Sequence, residues 1–374
     1  MEPYAPDQLP LDSIDWEIHV SRISEANFAL ARYDGILQGI INPVVLLSPL
    51  TIREAVLSSR IEGTQASLED VLQYEADVGE PPELDDRKVP PVVGDIHEII
   101  NYCKATGAAV EMLKERPLNI NMIRDIHRIL LTGVRGRDKA PGEIRRIQNY
   151  IAPPGTPIEQ ATFVPPTPPM VMDALSNWEQ YLHNEEKDPI VQLAVLKAQF
   201  ELIHPFLDGN GRIGRMLVPL ILYNKRRISS PMFYISAYLE QNRDIYNERL
   251  LAISRDGDWN SWISFFLQAV EEQADENSQK AKAIIGLYAN MKLLVPEITR
   301  SQYSIQAIDT IFSRPIFSSN NFARESGIPK GSAARILREL TENEILDVLR
   351  QGQGRRPNLY VFQKLINIVE REGV

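Results

Sequence analysis

The chain has 374 residues, 44% of them hydrophobic and 24% charged, which suits an ordinary globular protein with two or three domains and a sizeable core. A net charge of −10 argues against a chain built as a whole to coat nucleic acid or an anionic membrane. The single cysteine, Cys103, excludes an internal disulfide framework and a multi-cysteine metal site. With no secretory start and no apolar run of membrane-spanning length, a cytoplasmic protein without membrane contact is expected.

Most of the chain reads as helix, and the expected class is all-α. Residues 15–36 carry Ile18, Ile23, Phe28, Leu30 and Ile36 among charges, a loosely amphipathic pattern. Residues 47–61 keep a helical rhythm and stop at Gly63, and Ser67 then caps a fresh helix. Residues 79–91, rich in proline and acid, mark a loop. Further helices are expected at 93–114, 120–131, 171–183, 189–203, 211–225, 241–254 and 259–269. Cys103 falls in the first of these, where a buried, inert thiol is expected.

Residues 141–169 differ, with eight prolines and little apolar periodicity. Residues 148–151 and 161–164 read as two short strands around Pro153-Pro154-Gly155-Thr156, a hairpin flap on a helical body. After a polar helix at 271–294 come three short helices, at 304–312, 319–326 and 330–343. Two strands, 347–350 and 359–362, then flank a glycine- and arginine-rich turn. That succession is a winged helix-turn-helix pattern. The expected plan is an N-terminal helical region (1–80), a helical core (81–275), a linker helix (276–300) and the winged helix (301–374).

The chemistry concentrates in His204-Pro205-Phe206-Leu207-Asp208-Gly209-Asn210-Gly211-Arg212-Ile213-Gly214-Arg215. Pro205 disfavours helix at its predecessor, so the preceding helix ends near His204. Gly209 and Gly211 let successive amides converge where the next helix begins, and its positive dipole end adds to an anion site. Arg212 and Arg215 are three apart on one helix face and can grip phosphates bidentately. Asp208 would repel a bare phosphate, so its place argues for a bridging Mg²⁺. His204 can take a proton near neutral pH. The set suits attack by a hydroxyl on a phosphate held in the turn. Gly209, Gly211 and Gly214 also fit a dinucleotide fingerprint, but a helix rather than a strand precedes them. His19, His97, His127 and His183 are expected to be structural, and Phe206 to anchor the loop in the core.

At every fixed position residues 204–215 resemble the Fic motif, His-Pro-Phe-x-Asp-Gly-Asn-Gly-Arg-x-x-Arg. The resemblance implies a Fic-fold helical core with a small β-hairpin flap, and transfer of AMP from Mg-ATP to a Ser, Thr or Tyr hydroxyl of a target protein. It implies His204 as general base and Asp208 as the Mg²⁺ ligand. The Gly209, Asn210 and Gly211 amides would cradle the phosphates, with Arg212 near the β- and Arg215 at the γ-phosphate. The flap, with Tyr150, Ile151, Thr162 and Phe163, would pin the target backbone as an added strand. Tyr246 would border the adenine pocket.

Ser58-Ser59-Arg60-Ile61-Glu62-Gly63 resembles the inhibitory helix, Ser/Thr-x-x-x-Glu-Gly/Asn, that some Fic proteins carry before the core. By that resemblance Glu62 pairs with Arg215 and takes the space the γ-phosphate needs. Some relatives also remove AMP, using the same glutamate to position water.

Residues 301–374 carry +2, leaving −12 for residues 1–300. Lys330, Arg335 and Arg338 lie on the recognition-helix position, and Arg350, Arg355 and Arg356 on the wing. DNA binding and a protein-interaction or dimerisation role both fit, because Glu339, Glu342, Glu344 and Asp347 dilute the field. The N-terminal helices offer a surface for a homodimer. Two alternatives to adenylyl transfer stay open: another nucleotide or phosphate group moved by the same loop, and a nucleotide-sensing DNA-binding regulator.

Overall fold

The computed structural model describes residues 2–78, 91–153, 155–354 and 356–371. The expected loop at 79–91 falls almost wholly outside them, as do Pro154 in the flap turn and Arg355 in the C-terminal turn. The chain forms two compact units. One comprises Met1–Asp34, Leu57–Gly63 and Asn101–Asp275; the other comprises Gly35–Val56, Thr64–Ile100 and Glu276–Val374.

Helices dominate, as composition and periodicity foretold. In chain order they begin with α1 (Trp16–Gln38), α2 (Pro43–Leu46), α3 (Ser48–Ile61), α4 (Leu68–Val78) and α5 (Pro91–Glu115). Next come α6 (Ile120–Leu130), α7 (Pro168–His183), α8 (Pro189–Ile203), α9 (Asn210–Asn224), α10 (Ser236–Gln241) and α11 (Arg243–Asp256). The segments expected as two helices at 259–269 and 271–294 are one, α12 (Trp259–Thr299). Ala269-Val270-Glu271-Glu272 contains no breaker, so the change from apolar to polar texture does not interrupt the backbone. Cys103 on α5 is half-buried rather than buried.

The first unit is organised around α8, the most apolar helix. Asp188 caps it, its carboxylate accepting from the amides of Ile190 and Val191 at 2.9 Å each, and Pro189 occupies the first turn. Almost every residue from Ile190 to Ile203 is buried, so α8 packs on all sides, against α7 and α9 among others. Two buried indoles lock onto its backbone: Trp178 Nε1 donates to the Leu196 carbonyl at 2.7 Å, and Trp262 Nε1 to that of Ala194 at 2.8 Å.

In the second unit α4 starts as expected. The Ser67 hydroxyl accepts from the Asp70 amide while the Asp70 carboxylate accepts from the Ser67 amide, a reciprocal cap. The C-terminal part holds α13 (Ser304–Ser313), β1 (Ile316–Ser318), α14 (Ser319–Ser326), α15 (Lys330–Glu342), β2 (Asp347–Arg350), β3 (Leu359–Val361) and α16 (Gln363–Glu370). The strands form one antiparallel sheet of order β1-β3-β2, with Phe317 and Val348 both opposite Tyr360. The sequence reading missed β1 and α16, each too short to show a period. Among the cations read as DNA contacts, Arg335 pairs with Glu339 at 2.9 Å, and both Arg350 and Arg356 bind Asp77 on α4.

Candidate active site

The loop between α8 and α9 is a closed structure. His204 ends α8 in the left-handed region at φ 50°, an uncommon conformation for a non-glycine residue. Asn210 folds back on Phe206, its Oδ1 accepting from the Phe206 amide and its Nδ2 donating to the carbonyl, both at 2.9 Å. Phe206 is fully buried and stacks on His127 of α6 with ring centroids 3.8 Å apart. Gly209 caps α9 at φ 80°, and a Cβ there would stand at ordinary contact distance from Leu130 and His127. A side chain there would be strained by the backbone rather than by its neighbours.

Two residues not singled out in the sequence hold this loop. His127 Nδ1 accepts from the Gly142 amide at 2.8 Å, so its Nε2 carries the proton and donates to the Asp208 carbonyl at 2.9 Å. Burial pushes the His127 pKa down to about 4, with help from Arg212 and Arg128 and against its bond to Asp208. Arg145 is buried at the flap root. Its Nε donates to the His204 carbonyl at 2.8 Å, its Nη2 reaches the Pro166 and Ile203 carbonyls, and its amide donates to the Pro205 carbonyl. Among the described residues no carboxylate pairs with that guanidinium, and burial lowers its pKa to about 10. His127 stood in the sequence only as a histidine expected to be structural, and Arg145 only within the proline-rich segment 141–169.

His204 Nδ1 lies 3.2 Å from the Glu201 carbonyl and therefore donates to it, which leaves Nε2 as the acceptor. Burial outweighs the opposing pull of Glu201 and Glu62 and lowers the His204 pKa, favouring the neutral, proton-accepting ring. The Glu201 side chain binds Lys197 Nζ at 2.9 Å and the Tyr246 hydroxyl, and Lys197 also bonds that hydroxyl at 3.0 Å. Any side chain on Gly214 would collide with Glu201. This buried Lys197–Glu201–Tyr246 cluster is a second feature the sequence reading missed. Its only sequence signal was the i,i+4 spacing of Lys197 and Glu201 on an otherwise apolar helix.

Asp208 faces the loop exterior, about one-third exposed, with Oδ1 accepting from the Gly209 amide at 2.6 Å and lying 3.4 Å from Arg212. Its Oδ2 faces Gly136, where a Cβ would intrude to 2.7 Å. Among the described residues no three His, Cys, Asp or Glu groups gather as a metal cage. One accessible carboxylate beside a glycine suits Mg²⁺, which keeps several waters and takes substrate phosphate oxygens for much of its coordination.

Glu62 meets Arg215 at the head of α9. α3 ends at Ile61, and Gly63 at φ 102° takes a turn that only glycine adopts easily. Glu62 Oε1 accepts from Arg215 Nη2 at 2.6 Å, while Ser58 receives Arg215 Nε on its hydroxyl at 2.9 Å and Nη2 on its carbonyl at 2.8 Å. The carboxylate presses on Gly211, where any Cβ would collide with it. It therefore sits where converging amides and the helix dipole favour an anion. Burial opposes ionisation of Glu62, but Arg215, helped by Arg212 and His204, wins and holds its pKa below the ordinary 4.5. Arg215 is itself raised: burial works against the charge and Glu62, Tyr246 and Glu201 overcome it.

A cavity of about 350 Å³ opens at this point, lined by Glu62, His204, Gly211 and Arg215 on one side and by Ile151, Thr162, Phe163 and Tyr246 on others. Three of the four expected flap residues thus face it. Tyr150 does not; its hydroxyl donates to the Thr156 carbonyl along the flap. The expected pair of flap strands reduces to one bridge, Ile151 with Phe163. Proline removes ladder donors from the second arm, and Tyr4 instead donates its amide to the Val164 carbonyl. Tyr246 lines the cavity but is nearly buried, its hydroxyl committed to Glu201 and Lys197.

Comparison with known proteins agrees with this geometry. Residues 20–111 match the family described as Fic/DOC family N-terminal, and residues 117–222 match Fic/DOC family. The chain is 27% identical over 167 residues to a protein adenylyltransferase Fic of Drosophila ananassae, covering 44% of this chain and 30% of that protein. It is 32% identical over 108 residues to protein adenylyltransferase fic-1 of Caenorhabditis elegans, covering 28% of this chain and 19% of the relative. The chain thus spans less than a third of either relative's length. A Fic family protein from Desulfovibrio desulfuricans G20 shares the fold at TM-score 0.58 and 20% identity, over 97% of this chain and 98% of its own. With the two family matches together spanning more than half of its residues, and the motif loop inside the second, the chain belongs to the Fic/DOC family.

Proposed function

We propose that the chain is a protein adenylyltransferase that moves AMP from Mg-ATP to a Ser, Thr or Tyr hydroxyl of a target protein and is held back by Glu62. The observation that carries this reading is the Glu62–Arg215 pair at the head of α9, inside the cavity that also holds His204. A carboxylate in an anion site is a stand-in for phosphate, and phosphate must displace it.

In this reading the Gly209–Gly211 turn and Arg212 hold the α- and β-phosphates, and Arg215 takes the γ-phosphate once Glu62 withdraws. Asp208 would hold Mg²⁺, which when bound neutralises charge between the phosphates. The acceptor hydroxyl gives its proton to His204 Nε2 as its oxygen bonds the α-phosphorus, and the bond to the β-phosphate's bridging oxygen breaks to release pyrophosphate. The flap residues Ile151, Thr162 and Phe163 register the acceptor over His204.

Labelled ATP tests the proposal. Glu62→Gly is expected to raise labelling of the chain or of a target at least tenfold, on the order of what removing a competing ion pair allows. Unchanged labelling in that variant would exclude the brake, and label arriving with the mass of phosphate, or a UMP adduct formed only when UTP replaces ATP, would exclude AMP.

The sequence plan of 1–80, 81–275, 276–300 and 301–374 remains our proposal for the domains. Residues 301–374 are proposed as a winged helix that engages protein rather than DNA. The ion pairs of Arg335, Arg350 and Arg356 support that choice, because they spend the cations a DNA backbone would need.

A further inference from the structure

The root of the flap carries a groove that the transfer chemistry does not use. It holds about 640 Å³, with Ile144, Pro168 and Met172 as an apolar floor and three cations, Arg124, Arg145 and Arg146, outnumbering one lining carboxylate, Glu143. Met172 is 54% exposed and Met170, on the same helix, 40%, a large apolar surface left open beside the groove. Arg146 is exposed and, among the described residues, has no hydrogen bond or ion pair. Arg124 is held by the Gly142 carbonyl at 2.9 Å rather than by a carboxylate. Between residues 116 and 146 eight cationic side chains stand against three carboxylates, in a chain whose net charge is −10.

The groove is tied to the reaction centre through Arg145, which lines it and also bonds the His204 carbonyl. Along the flap, Arg146 lies five residues before Ile151, which lines the catalytic cavity. Five residues of extended chain span about 16 Å. A segment lying along this arm with its hydroxyl over His204 would bring its fourth to sixth neighbour, on one side, to Arg146 and Arg124.

We propose that this groove selects acceptor proteins whose hydroxyl is flanked, four to six residues away on one side, by acidic residues. The inference rests on the adenylyltransferase reading and names its substrate class. The apolar floor and the exposed Ile147 beside it favour a polypeptide over a nucleic acid, whose phosphate backbone offers nothing to bury there. The chain's net charge of −10 also disfavours an extended polyanion.

The test uses full-length Glu62→Gly chain and synthetic 15-residue peptides with one central Ser, Thr or Tyr, carrying Glu or Lys at positions four to six on either side. Expected is a KM about fivefold lower for one set of acidic peptides than for its lysine counterpart, with the order reversed by Arg146→Glu. The reversal would itself show that the variant is folded. Labelling without charge preference, or an order unmoved by Arg146→Glu, would overturn the groove while leaving adenylyl transfer intact. If no peptide and no protein is labelled, the transfer reading fails, and fluorescence anisotropy with the same peptides still decides the groove. Charge preference there, reversed by Arg146→Glu, supports it; none overturns it. Binding of duplex DNA, lost in Arg146→Glu and without any peptide preference, would overturn the choice of occupant.

Discussion

The loop at 204–215 and the flap at 141–169 border the same cavity and are built in opposite ways. The loop is closed on itself by Asn210, stacked on His127 and fastened at the His204 and Pro205 carbonyls by Arg145. Among its described residues the flap has a single backbone bridge and leaves Ile147, Tyr150 and Ile151 substantially exposed. The difference separates two tasks. Groups that stabilise a developing charge gain by being fixed before substrate arrives, whereas a surface that receives another chain gains its order from that chain. If so, substitutions in the loop should strike the chemical rate and those in the flap should strike acceptor binding.

The largest effect is expected at His204. In a Glu62→Gly background, His204→Ala should lower the transfer rate about a thousandfold while the melting temperature and nucleotide affinity stay close to the parent's. Stopped-flow or labelled-ATP kinetics beside calorimetry would read both. A loss traced to nucleotide binding alone would remove His204 from its role as base. Next is Arg145, which touches no reacting atom and acts through the loop and the flap root that it holds together. Arg145→Lys keeps the charge but cannot serve several carbonyls at once. It should slow transfer by about a hundredfold and flatten the difference between good and poor acceptors, because His204 and the flap root lose their common support. Retained rate in this variant would mean the loop is rigid without its fastener.

The loop's build was legible in the sequence because twelve consecutive residues carry it, and a helix break, two glycines and the charges each have a local physical meaning. The Glu62–Arg215 contact spans 153 positions, and only the resemblance to a known pattern brought its ends together. His127, Arg145 and the Lys197–Glu201–Tyr246 cluster were not legible for the same reason: each acts through a partner distant in sequence, such as the carbonyls of Asp208 and His204. The flap was read as a hairpin because Gln148-Asn149-Tyr150-Ile151 and Ala161-Thr162-Phe163-Val164 look like strands. Proline at 153, 157, 165 and 166 and the arrival of Tyr4 changed the pairing, which no local pattern contains. The long helix α12 was divided for a converse reason, since a change of polarity was taken for a change of backbone.

Within the loop, Asn210→Ala removes both bonds to Phe206 and leaves buried backbone groups unpaired. Equilibrium unfolding in urea should show a loss of about 2 kcal/mol, with little change in slope. The Glu62–Arg215 pair, the proposed brake, should show in the pH dependence of stability. Its folded pKa lies below 4.5, so its contribution is complete above that pH and falls away as pH drops through the folded value. The stability difference between the native chain and Glu62→Gln should therefore be constant from pH 7 to about 5 and shrink at lower pH. A difference that persisted unchanged at pH 3 would mean that charge on Glu62 plays no part in the contact with Arg215.

The smallest effect is expected in the flap, at Tyr150. Its side chain is 42% exposed, points away from the cavity and closes the turn through one bond to Thr156. Tyr150→Phe removes that bond in water-exposed surroundings, where a single hydrogen bond adds little. Acceptor KM should change by less than about threefold, with nucleotide affinity and melting temperature unmoved. A larger rise in KM without a change in the chemical rate would show that the turn at 153–157 is ordered before the acceptor arrives. The flap would then be a preformed surface like the loop, and the contrast between the two regions would weaken to one of position rather than of construction.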